Sequence, residues 1–354
     1  MRTEPVKVLL GDRPAPDVAR SDWSEGDGLA DLFGRVHTDL RISVTDRCNL
    51  RCTYCMSEEP PSFHPREGLL TIEELERLAR VARSLGISSI RLTGGEPLVR
   101  PGIVDIVSRI SALGFEDVAL TTNGMRLARL APSLVEAGLT RANVSCDSLR
   151  PDRYALIRRR GSLDEVLAAM DGAEQAGLPK VKVNVVLIAG VNDDEVIDFA
   201  DFARRTGREV RFIEFMPLDG DRRWHRGRVV PSASVIERIS SVWRLEQADD
   251  APTKSAPATR FRFADGVGSI GVVASVTEPF CGTCNRLRVT ADGAIRNCLF
   301  SDCEVSVLGV LRRGGPDSEV ALQFRRAAWA KLAGHGIGEP GFRPPARAMW
   351  KIGG

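Results

Sequence analysis

The sequence predicts an α/β protein built on a parallel barrel or partial barrel. Strand-like and helix-like segments alternate about six times between Asp39 and Met216, the pattern of a parallel sheet wrapped by helices. The residues that carry chemistry sit on these strand segments or near their ends: a three-cysteine loop, a Gly-Gly-Glu-Pro turn and a Thr-Asn-Gly turn. Folds of this kind build their sites at the C-terminal ends of the strands.

Residues 1–35 mix Pro, Gly, Asp and Ser with few apolar positions, as a loosely ordered extension does. Residues 39–45 alternate like a strand and lead into Cys48-Asn-Leu-Arg-Cys52-Thr-Tyr-Cys55. A helix begins at Thr71, where Glu74 completes a capping box. Leu75, Leu78, Ala79, Ala82 and Leu85 recur at helical spacing, and Gly86 ends the helix. A strand over 89–93 runs into Gly94-Gly95-Glu96-Pro97. Next come a helix over 102–113 and a strand over 117–121, which leads into Thr122-Asn123-Gly124. Helices over 127–137, 163–176 and 193–206 then alternate with strands over 142–146, 180–188 and 210–216. Beyond Pro217 the regularity falls away. Residues 219–228 read as a charged loop, 232–245 as a helix and 249–259 as a loop or linker. A second cysteine group follows, Cys281-x2-Cys284-x13-Cys298.

The composition, 43% hydrophobic and 27% charged over 354 residues, suits one large domain or two. A net charge of +2 gives no global basic field for nucleic acid, so any anion site is local. Six of the eight cysteines fall into the two groups. That points to metal or cluster ligation in a reducing cytoplasm rather than a disulfide scaffold. No apolar run is long enough to span a membrane, and the N-terminus lacks a signal pattern.

Soft thiolates select zinc, Cu(I) or iron–sulfur clusters. A structural zinc ion wants four ligands, usually from two separated pairs. A three-cysteine loop suits a [4Fe–4S] cluster better, with one iron left open; zinc completed from elsewhere, or three buried thiols, are the alternatives. Glycines in the Gly94-Gly95 turn permit close backbone approach to a ligand, and the Glu96 carboxylate is a candidate acceptor for a ligand ammonium. Arg41, Arg91 and Lys182 lie on three strands and can face one polyanion. Cys146 falls on an apolar strand and reads as a buried thiol.

The Cys-x3-Cys-x2-Cys loop with Tyr54 before its last cysteine, followed by Gly-Gly-Glu-Pro, resembles the radical S-adenosylmethionine (SAM) enzymes. The second cysteine group with Asn285-Arg286-Leu287-Arg288 resembles the molybdenum cofactor biosynthesis protein A family, the GTP 3′,8-cyclases. So do residues 43–48, 90–97 and 121–124 and the Gly-Gly terminus. The likeness runs from about residue 36 to 354.

The resemblance implies a partial (β/α)6 barrel of the radical SAM type over 36–230. A C-terminal region over 231–354 would close the barrel mouth. It implies two [4Fe–4S] clusters, one on Cys48, Cys52 and Cys55 and one on Cys281, Cys284 and Cys298, the family spacing favouring Cys298 over Cys303. Tyr54, Gly95, Ser145 and Met216 would line SAM. Arg41, Arg91, Thr122, Lys182, Arg286, Leu287 and Arg288 would bind GTP. A 5′-deoxyadenosyl radical would take the C3′ hydrogen of GTP, and the C3′ radical would attack guanine C8. The product would be 3′,8-cyclo-7,8-dihydro-GTP, the first step towards the molybdenum cofactor. A reductant protein would supply electrons and cyclic pyranopterin monophosphate synthase would take the product, in the cytoplasm, from a monomer or homodimer. The Gly353-Gly354 tail would reach into the site. Asn297 stands where the family more often has proline.

Overall fold

The computed structural model describes residues 28–59, 62–248 and 255–353. Six strands lie side by side in chain order, all parallel: β1 (Asp39–Ser43), β2 (Ser89–Thr93), β3 (Asp117–Thr122), β4 (Arg141–Ser145), β5 (Lys182–Leu187) and β6 (Val210–Glu214). The connections carry α1 (Ile72–Ser84), α2 (Ile103–Ser111), α3 (Leu127–Glu136), α4 (Pro151–Arg158), α5 (Leu163–Gln175) and α6 (Val196–Thr206). The Thr71–Glu74 capping box opens α1 as expected: Glu74 N donates to Thr71 Oγ1 at 3.1 Å, and Thr71 N donates to Glu74 Oε2 at 2.8 Å. The sequence reading misses α4. Its buried positions are Tyr154, Ile157 and Arg158, too few and too polar to read as an amphipathic stripe.

The C-terminal region does more than cap a barrel mouth. It supplies α7 (Ser232–Ser240), β7 (Leu245–Gln247), β8 (Thr259–Phe263), β9 (Ser269–Val273), β10 (Arg286–Val289), β11 (Ala294–Arg296), β12 (Glu304–Ser306), α8 (Leu308–Arg312), α9 (Asp317–Trp329) and α10 (Met349–Ile352). β10 pairs parallel with β1, and β9 pairs parallel with β6. The parallel array therefore runs β10-β1-β2-β3-β4-β5-β6-β9, with antiparallel flanks β11-β12 and β8-β7. The helix read over 232–245 stops at Ser240 because the chain turns to pair β7 with β8, with Trp243 edge-on to Phe263 at 5.9 Å. Residues 249–254 of the expected linker lie outside the described residues, and Thr259 already opens β8.

Strand alternation sorts the side chains. Leu40, Ile42, Ile90, Leu92, Val144, Val183 and Phe212 are buried against the helices. Each contributes about 1.5–3 kcal/mol of burial. The intervening positions turn inward and are polar, Arg41, Arg91, Asn184 and Arg211 among them, and they line a central cavity. Residues 1–27 of the expected extension lie outside the described residues. Residues 28–37, by contrast, are anchored at four buried positions, Leu29, Asp31, Arg35 and His37, with Ala30 bridging Val36 while Leu32, Phe33 and Val36 are exposed. Among the described residues, no helix is long and apolar enough to cross a membrane.

Candidate active site

The eight parallel strands curl around a cavity of about 280 Å³, and each contributes lining residues. All six grouped cysteines face it. Cys48, Cys52 and Cys55 come from the loop after β1. There Cys55 N and Met56 N both donate to Cys52 O at 3.0 Å, forming a tight turn. The last turn of α4 grips the same loop: Arg51 N donates to Arg158 O and Thr53 N to Ile157 O. Cys281, Cys284 and Cys298 come from the segment before β10 and the turn after β11. Arg35 holds that segment, donating to Cys281 O at 2.7 Å and Leu332 O at 2.7 Å while paired with Asp31. Lys331, itself buried, donates to Cys284 Sγ at 3.4 Å and Arg286 O at 2.7 Å. Cys146 and Cys303 are buried and line no part of the cavity, so they are ordinary core thiols.

The donor set fits iron–sulfur clusters. Burial and the neighbouring Cys52 push the Cys48 thiol up to about 12, and burial with the same neighbour raises Cys55 well above the usual range. A bound cationic centre relieves that crowding by taking the thiolates as ligands. Burial also raises Cys281; at Cys284 burial is outweighed by Lys331 and Arg286, which hold the thiol low. Among the described residues, no three His, Cys, Asp or Glu side chains converge on a single-ion site. Convergence on one ion is what zinc demands. In a four-iron cluster each cysteine meets a different iron, so the thiols stand apart.

The Gly94-Gly95 turn has a reason beyond the one the sequence suggests. Gly95 N donates to Thr45 O and Glu96 N to Arg47 O, both at 2.8 Å. A Cβ on Gly95 would lie 2.5 Å from Arg47 O. The glycines therefore let the turn dock on the entry to the cysteine loop while they line the cavity. The Glu96 carboxylate is largely occupied. It accepts from Thr122 Oγ1 at 2.7 Å and Leu98 N at 3.0 Å on one oxygen and from Asn123 N at 2.7 Å on the other, which leaves one lone pair, on Oε2, for a further donor.

Tyr54, Gly95, Ser145, Met216, Arg41, Arg91 and Thr122 all line the cavity. Register places Arg41 beside Arg91 on one side and Arg288 on the other, three guanidiniums in a row across β2, β1 and β10. Burial, then Arg288 and Arg286, push Arg41 down to about 9; burial and Arg286 push Arg288 to about 10. Asp39 is held low against its burial by Arg91, Arg41, Arg286 and Arg288. One carboxylate among four guanidiniums leaves an excess of positive charge that a polyanion relieves.

Two expected ligands lie elsewhere. Leu287 alternates with Arg286 and Arg288, so its side chain is fully buried in the hydrophobic core. Lys182 is the first residue of β5 and sits below the cavity, its ammonium 3.4 Å from Glu209. Arg211, which shares Glu209, does line the cavity and was missed. Its signal was present in Val210-Arg-Phe-Ile-Glu, a polar residue at an inward position between two buried apolar ones. The tail reaches the site as expected. The Trp350 backbone bonds the Cys55 thiol, and Gly353 O accepts from Arg288 at 2.6 Å. At Gly353 φ is 83°, and a Cβ there would lie 2.6 Å from Thr93 Oγ1. Gly354 lies outside the described residues.

The Radical SAM superfamily model matches residues 42–203, and the Molybdenum Cofactor Synthesis C model matches residues 208–337. A GTP 3′,8-cyclase of Streptomyces coelicolor is 47% identical, covering 92% of this chain and 96% of its own. The GTP 3′,8-cyclase of Moorella thermoacetica is also 47% identical, covering 92% and 100%. One from Mycobacterium sp. strain KMS is 46% identical over the whole of both chains. Among solved structures, SuiB of Streptococcus suis bound to S-adenosylmethionine superposes with a TM-score of 0.54 at 14% identity, covering 74% of this chain and 60% of that one. Native anSMEcpe with bound AdoMet gives 0.53 at 15% identity, covering 76% and 77%. These last two likenesses are of fold. From the full-length identity and the two matched models together, the chain belongs to the GTP 3′,8-cyclase family of the radical SAM superfamily.

Proposed function

We propose that this chain is a carbon–carbon lyase that cyclises GTP to 3′,8-cyclo-7,8-dihydro-GTP, the first step of molybdenum cofactor biosynthesis. The observation that carries the reading is one cavity lined by two cysteine trios and by the arginine row Arg91–Arg41–Arg288.

Cys48, Cys52 and Cys55 would hold a [4Fe–4S] cluster that would supply SAM cleavage, with Tyr54, Gly95, Ser145 and Met216 lining the SAM. Cys281, Cys284 and Cys298 hold a second [4Fe–4S] cluster towards the guanine. Reduced cluster and SAM together supply the radical that removes the C3′ hydrogen of GTP. The protein's own part is positioning. Arg41, Arg91, Arg286 and Arg288 bind the triphosphate with planar donor forks. Arg211 adds a fifth such cation, and Lys182 contributes its charge from below. The Thr122 hydroxyl donates to Glu96, which leaves its oxygen only an accepting role towards substrate. The α10 segment meets the first trio through the Trp350 backbone at Cys55, with the Trp350 ring edge-on to Phe63.

Residues 36–230 carry the SAM chemistry, and 231–354 bring the second trio and the tail. A reductant protein supplies the electrons, cyclic pyranopterin monophosphate synthase consumes the product, and the enzyme works in the cytoplasm as a monomer or homodimer. The test is anaerobic reconstitution with iron and sulfide, then dithionite, SAM and GTP. About eight irons per chain, four for each cluster, with 5′-deoxyadenosine and a cyclised GTP by mass spectrometry, is the expected result. Deoxyadenosine without cyclised GTP would overturn the substrate.

A further inference from the structure

Arg158 ends α4, the helix that the sequence pattern does not reveal. Its side chain is 3% exposed. Nη1 donates to Cys52 Sγ at 3.3 Å. Nη2 lies 2.7 Å from Asp147 Oδ2, and the Tyr54 hydroxyl bonds the same carboxylate. The guanidinium carbon stands 5.9 Å from the Tyr54 ring centroid and 5.8 Å from that of Tyr154. The cation thus lies within cation–π range of two aromatic rings, with one N–H on the sulfur of Cys52.

A buried ion pair is weak evidence of stabilisation in itself. Here the attachment of α4 to the cysteine loop does not depend on it, because the backbone bonds from Arg51 N and Thr53 N make that junction. What the side chain adds is a positive charge and a donor on the sulfur of one ligand. Hydrogen bonds to cluster sulfurs and local charge are levers on reduction potential.

We propose that Arg158 is a positioning residue that sets the reduction potential of the cluster on Cys48, Cys52 and Cys55, with Asp147 as its counterweight. Reduction takes one electron from the external reductant and adds one negative charge, spread over cluster and thiolates. The Arg158 N–H on Cys52 stabilises that added charge, so it favours the reduced state. Asp147 opposes it and tethers the guanidinium, and through Tyr54 the same pair touches the residue proposed to line SAM. The inference rests on the cluster reading of the first trio.

The test uses full-length protein in which Cys281, Cys284 and Cys298 are alanine, so that one cluster reports. After anaerobic reconstitution, iron is counted and the reduced fraction is followed by electron paramagnetic resonance against solution potential. In Arg158→Gln the reduced-to-oxidised ratio at fixed potential falls about tenfold, a shift of about 59 mV for one electron. In Arg158→Lys, which keeps the charge, more than half of that shift (in mV) is recovered. In Asp147→Asn, which keeps the oxygen that accepts from Val186 N at 2.9 Å, the ratio moves the opposite way. A merely structural pair gives no such reversal of sign. An unchanged ratio in Arg158→Gln, with about four irons retained, overturns the proposal alone. If Arg158→Gln fails to hold iron, Asp147→Asn decides: a ratio unchanged or lowered overturns it. A parent protein that binds no iron overturns the cluster reading and this inference with it.

Discussion

Replacing Gly95 by alanine tests how the two halves of the SAM side are joined. The added Cβ would lie 2.5 Å from Arg47 O and 2.7 Å from both Arg47 C and Asp46 O, all backbone atoms that no side-chain rotation can move aside. Relief requires the Gly-Gly-Glu-Pro turn and the cysteine-loop entry to part by about 1 Å, the gap to ordinary van der Waals contact. That stretches the Gly95 N–Thr45 O and Glu96 N–Arg47 O bonds from 2.8 Å past hydrogen-bonding range. Two such bonds are worth about 1 kcal/mol each, and overpacking adds about 1–3 kcal/mol. The expected cost is therefore about 3–5 kcal/mol, a fall in Tm of roughly 4–7 °C for a chain of this size. Loop displacement should also lower iron at the first trio. The assay is thermal unfolding together with iron per chain after anaerobic reconstitution. Gly28→Ala is the control, since nothing lies within 4 Å of its added Cβ. A Gly95→Ala protein with unchanged Tm and full iron would refute the docking argument.

Three further outcomes follow from the same geometry. Glu96→Gln keeps one oxygen to accept from Thr122 Oγ1 and Leu98 N but sets its amide NH2 against the donor Asn123 N, and should cost about 1–3 kcal/mol in a denaturant titration; if the carboxylate instead served SAM alone, stability would hold and only SAM affinity would fall. Lys331→Met removes the donor on Cys284, so iron should drop from about eight to about four per chain, with loss confined to the second trio. Burial, then Arg211, push the Lys182 ammonium down to about 8, with Glu209 opposing. As pH rises through that value the charge is lost, and kcat/KM for GTP should fall about fivefold, a step that Lys182→Arg abolishes. Stability should move the other way: the unfolded chain binds the extra proton between about 8 and the usual lysine range, so folding is favoured as pH rises across that window.

The parallel strands and their helices were legible because each signal was local. Alternation marks β1 to β6, the Thr71–Glu74 box opens α1, and Gly86 closes it. The six clustered cysteines were legible for the same reason, their spacing being a property of the chain itself. What escaped was set by pairing between distant segments. β9 and β10 are short, and they become parallel strands only by bonding to β6 and β1. The helix-like run after Ser240 yields to the β7–β8 pairing. Arg35 and Asp31 look like solvated charges until the fold brings Cys281 to them. Lys182 and Leu287 were misplaced because a motif names residues without their depth or face, and depth along a strand decides whether a side chain meets the cavity.

The division near residue 230 organises the chemistry, but it does not separate two folding units. Without 231–354 the chain loses β9 and β10, the partners that cover β6 and β1. Both outer strands of the remaining six-stranded array would then present unpaired backbone along hydrophobic edges, a template for association. Arg41 and Asp39 would also lose Arg288 and Arg286, and the second trio would be gone. A fragment of residues 28–230 should therefore aggregate or remain a loosely packed state, read as an absent cooperative transition in thermal unfolding and a broad profile in size-exclusion chromatography. A monomeric fragment with a sharp transition would refute this and make the first region an independent domain. The two matched segments, 42–203 and 208–337, meet within a few residues of the start of β6. The second segment contributes β6 and then β9 beside it, so the sheet is completed only when both segments are present.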